Sequence, residues 1–103
     1  MRLVIVTAPK DIAAELGRTI VEEKLAACVN IIPKVRSIYR WEGKVEDEEE
    51  SMLFFKTTDE GQANLTRRLK ILHPYEVPEI IAFEIRPEEG NPDYLDWIRA
   101  SVC

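Results

Sequence analysis

The 103-residue sequence predicts an α+β fold of the split β-α-β kind, with two helices on one face of a four-stranded antiparallel sheet. Three observations carry that expectation. Apolar residues switch twice from the dense runs of a strand to the four-residue spacing of a helix. Two long stretches meet at a Glu-Gly pair that suits a tight hairpin turn. Apolar residues make up 46% of the chain and charged ones 32%, enough for one core and one domain spanning residues 1–103.

The elements follow in order. Arg2 to Ala8, "RLVIVTA", is a β-branched run closed by Pro9 and reads as a buried strand. From Asp11 to Leu25, Ile12, Leu16 and Ile20 recur every four residues with Ala13 beside them, which predicts a helix. Arg18 and Glu22 are spaced to pair along its surface. Cys28 to Trp41, "CVNIIPKVRSIYRW", is strand-like, and Pro33 must lie at an edge, a bulge or a bend because it cannot donate to a ladder. After Glu42 and Gly43 the return strand runs from Lys44 to Thr57, acidic in its first half and apolar in its second.

Asp59 reads as a helix cap, and Leu65, Leu69 and Leu72 form a stripe up to His73, where Pro74 ends the helix. Glu79 to Ile85 is a further strand with Ile81, Phe83 and Ile85 on one face. Asn91 and Pro92 then supply the cap and first turn of a closing helix through Tyr94, Leu95 and Ile98. The order is β-α-β-β-α-β plus a terminal helix. Each arm of the central hairpin is about twice the usual ~5–6 residues of a strand. Ile38, Tyr39 and Trp41 at its far end exceed what two free strands can bury, so neighbouring subunits are expected to cover them.

A net charge of -5 and a pI of about 4.9 argue against nucleic-acid and anionic-membrane partners. Arg67, Arg68 and Lys70 are the nearest approach to a basic patch and read as a solvated helix face. The two cysteines, Cys28 and Cys103, follow no zinc-ligand spacing. No signal-peptide pattern and no apolar span of ~20 residues is present, which makes a reduced cytoplasmic protein the expectation.

His73, the only histidine, has two readings. It is a metal ligand joined by Glu76 and Glu79, or a helix-terminal imidazolium resting on the last carbonyls. Glu46, Glu48 and Glu50 alternate on one strand face, with Asp47 and Glu49 on the other. They are a hard-cation trio or a solvated acidic strand that discourages edge pairing, with Lys44 and Lys56 as the nearby counter-charges. Cys28 reads as a small buried hydrophobe, and as a soft-metal thiolate only if another donor such as His73 comes close. The glycines are scattered, so no phosphate loop exists, and one histidine without a Gly-x-Ser-x-Gly turn leaves little for a nucleophilic triad. An RNA-binding aromatic strand and a Cys-x-x-Cys loop are also missing, and no enzyme is expected.

"EKLAACVNIIP", "SIYRWEGKVE", "FFKTT", "LHPYEVPEI" and "YLDW", in this order, closely resemble the CutA family of divalent-cation tolerance proteins. The resemblance covers essentially the whole chain. It implies a ferredoxin-like, PII-like subunit in a compact homotrimer whose long central hairpins wrap across neighbours. It implies a role in metal-ion tolerance with no catalytic reaction and no required cofactor, Cu2+ being the divalent ion it points to. The family's cleft between subunits maps onto Cys28, Tyr39, Trp41, Lys56, His73, Tyr75 and Glu79. Some bacterial relatives assigned a copper site carry a cysteine in the first strand and two adjacent histidines before Pro-Tyr. Here those positions hold Val6 and Leu72, so His73 would need Glu76, Glu79 or groups from another subunit. A second function the resemblance allows is a PII-like signalling or scaffold protein that binds a small anion or metabolite through Lys56.

Overall fold

The computed structural model describes residues 1–103. Its elements are β1 (Arg2–Ala8), α1 (Ala13–Glu22), β2 (Cys28–Trp41), β3 (Lys44–Thr57), α2 (Gln62–Leu72), β4 (Ile80–Glu84) and α3 (Pro92–Ser101), with a 3-10 turn at Pro87–Glu89. The strands form one antiparallel sheet in the order β2-β3-β1-β4. This is the α+β split β-α-β architecture read from the sequence.

Alternation along the strands decides which side is covered. Val4, Val6, Leu53 and Phe55 point to one face and are fully buried against Ala13, Leu16 and Ile20 of α1 and Leu65 and Leu69 of α2. Gly17 lets α1 lie close on β2, since a Cβ there would stand 3.0 Å from Val29 Cγ1. The opposite face carries Leu3, Ile5, Ile32, Met52, Phe54, Ile81 and Phe83, as the register shows. Only α3 packs beside it, through Leu95 and Ile98 with Met1 and Ala27. Ile32, Ile81 and Phe83 therefore stay 43%, 45% and 50% exposed. A sheet normally buries its apolar face, so this one is unfinished in the single chain.

The hairpin of β2 and β3 has 14 residues in each arm and makes the molecule elongated, 44 × 27 × 22 Å. Its turn has positive φ at both Glu42 (49°) and Gly43 (81°), the backbone that matches strand twist in a two-residue hairpin. Pro33 sits in the register shift between Ile32 and Val35, on an edge strand, as its missing N–H requires.

Four local expectations are corrected. The first helix starts at Ala13, two residues after Asp11, and ends at Glu22, because Lys24 takes a left-handed φ of 60°. Arg18 and Glu22 form no ion pair. Glu23 instead accepts a two-pronged bond from Arg68 of α2, both contacts 2.8 Å, because α2 lies alongside and offers a planar fork. Asp59 does not cap α2. Its carboxylate accepts the N-terminal ammonium at 2.7 Å, and Thr58 Oγ1 takes the Gly61 N–H at 3.0 Å. The last strand, Ile80–Glu84, is one residue shorter at each end than Glu79 to Ile85, although the Ile85 N–H still bonds to the Met1 carbonyl beside it. Asn91 does cap α3, accepting from the Asp93 N–H at 3.1 Å ahead of Pro92.

Candidate functional site

Pro74 forces His73 out of helical geometry, to φ -74° and ψ 135°, and the imidazole swings inward beneath β1. Only 6% of His73 is exposed. Its Nδ1 accepts the Tyr75 N–H at 3.1 Å, so the ring proton lies on Nε2, which donates to the Thr7 carbonyl at 2.7 Å. The imidazolium on helix-end carbonyls is thus corrected: the ring bonds to a strand carbonyl 66 residues away. The one lone pair that could reach a metal is already used by Tyr75.

Tyr75 continues the chain of contacts. Its ring lies 4.7 Å from the His73 ring, and its hydroxyl donates to Glu50 Oε2 at 3.1 Å. Glu50 is 5% exposed and forms no ion pair, so a neutral phenol is its only side-chain partner. Burial, and then the charge and hydrogen bond of Glu50, push the Tyr75 phenol up to about 12. Tyr39, on the neighbouring strand, is held above its ordinary value by burial and by the carboxylates of Glu48, Glu46 and Glu50.

The acidic arm divides as strand alternation demands. Asp47 takes both prongs of Arg36 at 2.9 and 2.6 Å, and Glu49 takes Lys10 at 2.7 Å and Lys34 at 3.4 Å. These cations hold both carboxyls below their ordinary range. Lys44 and Lys56 are not the counter-charges. Lys56 lies six residues from Glu50, roughly 20 Å at ~3.3 Å per residue. It bonds instead to Asn30 Oδ1 and, at 3.5 Å, to the Tyr94 hydroxyl. Cross-strand neighbours win over those along the strand.

Cys28 stands directly opposite Lys56 and is half-buried, its Sγ 3.5 Å from the same Tyr94 hydroxyl. The expected buried packing residue is therefore a partly open thiol on the unfinished sheet face. Hydrogen bonding with Cys28, with burial second, raises the Tyr94 phenol, while Lys56 pulls it down. Trp97, one turn along α3, lies against Tyr94 with ring centroids 5.5 Å apart.

Within one chain the residues singled out from the sequence fall into four places. Cys28 and Lys56 meet under α3; His73 and Tyr75 meet Glu50 at the far end of β1; Tyr39 and Trp41 lie exposed on the hairpin. Glu76 and Glu79 are exposed in the segment leading to β4. No three His, Cys, Asp or Glu side chains converge as a metal-binding group. Asn30, Tyr94 and Thr7 were not singled out as site residues, and alternation along β2 could have placed Asn30 beside Cys28. No helix is long and apolar enough to cross a membrane.

A family model described as CutA1 divalent ion tolerance protein matches residues 2–101. The divalent-cation tolerance protein CutA of Thermus thermophilus is 49% identical over 101 residues, 97% of this chain and 96% of that protein. A solved PII-like protein CutA from Nostoc sp. PCC 7120 superposes with a TM-score of 0.96 at 33% identity, covering 100% of this chain and 98% of that one. A protein described as the periplasmic divalent cation tolerance protein CutA of Archaeoglobus fulgidus gives a TM-score of 0.90 at 37% identity, covering 98% of each chain. Against the frog and human proteins the matched region is 61% and 52% of their length.

Proposed function

The chain belongs to the CutA1 divalent ion tolerance family, and from that premise we propose that it works as a cytoplasmic homotrimer that binds divalent cations weakly between subunits, without chemical turnover. The observation that carries this reading is the open apolar sheet face together with the exposed hairpin. Ile32, Ile38, Trp41, Val45, Ile81 and Phe83 are each at least 43% exposed in the single chain. A second copy buries them. The two sheet edges, β2 and β4, are different strands, so joining β2 of one copy to β4 of the next is a head-to-tail contact, the kind from which a closed ring of three is built.

The donor set fits a metal only across that interface. Glu76 and Glu79 are exposed oxygen donors. His73 joins them only by releasing the Tyr75 N–H, a cost that keeps binding weak. Groups from the neighbouring chain supply the remaining donors, with Cys28, Tyr39, Trp41, Lys56 and Tyr75 lining the cleft. Cu2+ is the ion proposed, being the divalent ion that binds nitrogen and oxygen donors most tightly.

Calorimetric titration with Cu2+, Zn2+ and Mg2+ tests this reading. Wild type should bind Cu2+ most tightly, and the Glu76→Gln, Glu79→Gln double variant should lose most of that affinity. A wild type that takes up none of the three ions would overturn the metal reading. If His73→Ala titrates like wild type, the imidazole keeps its structural bonds and is no ligand.

A further inference from the structure

We infer that Lys56, Asn30 and Tyr94 form a second binding site, for a small carboxylate with a flat apolar body. It deepens the reading in which Lys56 takes a small anion, uses none of the proposed cation donors Glu76, Glu79 and His73, and gives that anion a chemical class. Lys56 enters no ion pair, and its side-chain neighbours are all neutral. An ammonium carries three N–H donors. Two are directed at Asn30 Oδ1 and the Tyr94 hydroxyl, which leaves the third uncommitted. Asn30 spends its oxygen on Lys56, so its amide NH2 remains available. Tyr94 accepts from Lys56 and shares its hydroxyl with Cys28 Sγ at 3.5 Å, so it fixes the ammonium and does not count as a free donor. Two donor groups and one positive charge thus converge with no carboxylate among them.

The surroundings select the rest of the ligand. Tyr94 and Trp97 are 41% and 46% exposed and form a tilted aromatic wall beside the ammonium. Lys56 Nζ lies 5.9 Å from the Tyr94 ring centre, so the ring helps to hold the charge in place. On the sheet, Leu3 stands opposite Lys56 and gives an apolar floor. A monoanion suits a single ammonium, whereas a doubly charged phosphate meets a chain of net charge -5. A planar two-oxygen head accepts from Lys56 and Asn30 together, and a flat body stacks on Tyr94 and Trp97.

The test uses the assembled protein, with Trp fluorescence and calorimetry and four probes: benzoate, benzamide, acetate and inorganic phosphate. Benzoate should bind saturably, while its uncharged isostere benzamide and phosphate should not, and acetate should bind about tenfold more weakly. Lys56→Met should weaken benzoate at least about tenfold. Asn30→Asp, which changes one atom and supplies an internal counter-charge, should do the same without disturbing packing. Asn30→Asp should keep the wild-type Cu2+ titration, which separates this site from the metal donors Glu76 and Glu79. Benzoate binding equally to wild type and Lys56→Met, or benzamide binding as well as benzoate, would overturn the proposal. So would no benzoate binding at all, the result expected if a carboxylate of a second copy already fills the site.

Discussion

Replacing Tyr75 by Phe keeps the ring against His73 and the backbone bond to Nδ1, and removes one oxygen. That oxygen is the only side-chain hydrogen-bond donor to Glu50, a carboxylate just 5% exposed with no cation beside it. A hydrogen bond to a charged group contributes ~1.5–3 kcal/mol net, and leaving the acceptor buried and unpaired costs a similar amount. Tyr75 itself is 36% exposed, so water partly replaces the lost contact and the lower part of that range applies, about 1.5–2 kcal/mol. Urea denaturation at one fixed chain concentration measures it, since association would otherwise shift the midpoint. The same substitution in a Glu50→Gln background removes only a neutral hydrogen bond, worth ~1 kcal/mol or less, so the cycle should show a coupling of about 1 kcal/mol. A cost below ~0.5 kcal/mol, or the same cost in both backgrounds, would refute the claim that Tyr75 holds a buried carboxylate.

Two further outcomes follow from the charged groups. The Tyr75 phenol is pushed up to about 12 from an ordinary 10.0, so the fold favours its neutral form. The stabilisation is intact below pH 10 and drains away as pH rises toward 12; urea midpoints should fall across that window in wild type and less steeply in Tyr75→Phe. Arg68 holds the Glu23 carboxyl below its ordinary range through the two-pronged bond between α1 and α2. Its contribution is present above the ordinary carboxyl range and is lost as pH falls through the lowered value. Carboxyl carbon NMR should show Glu23 titrating late in acid and returning upward in Arg68→Ala, and an unmoved midpoint would contradict the pairing.

Strands and helices were legible because their periods are local. Val4, Val6, Leu53 and Phe55 alternate, and Leu65 and Leu69 recur at helical spacing, so pattern alone placed them inside. Pro33 and Asn91 were legible for the same reason, each acting through its own backbone or its next neighbours. The misread features are those decided by residues far along the chain. Glu23 meets Arg68 across 45 residues, and Asp59 meets the N-terminus across 58. His73 looked like a helix cap because its destination, the Thr7 carbonyl, is absent from its own segment. Lys56 looked like a counter-charge for the acidic strand, because nothing local shows that α3 returns to set Tyr94 beside it. Motif resemblance groups Cys28, Tyr39, Trp41, Lys56, His73, Tyr75 and Glu79 as one set, yet one chain scatters them over its length. A site shared between copies would explain that scatter, since each chain would then supply only part of it.

Light scattering on the purified chain at micromolar concentration tests that shared-site account most directly. If the open sheet face and exposed hairpin are covered by two further copies, as proposed, the measured mass should be three times the 11.9 kDa of one chain. A stable particle of one chain's mass would leave Ile81, Phe83 and Trp41 in water, and would contradict the proposal that function is completed between subunits.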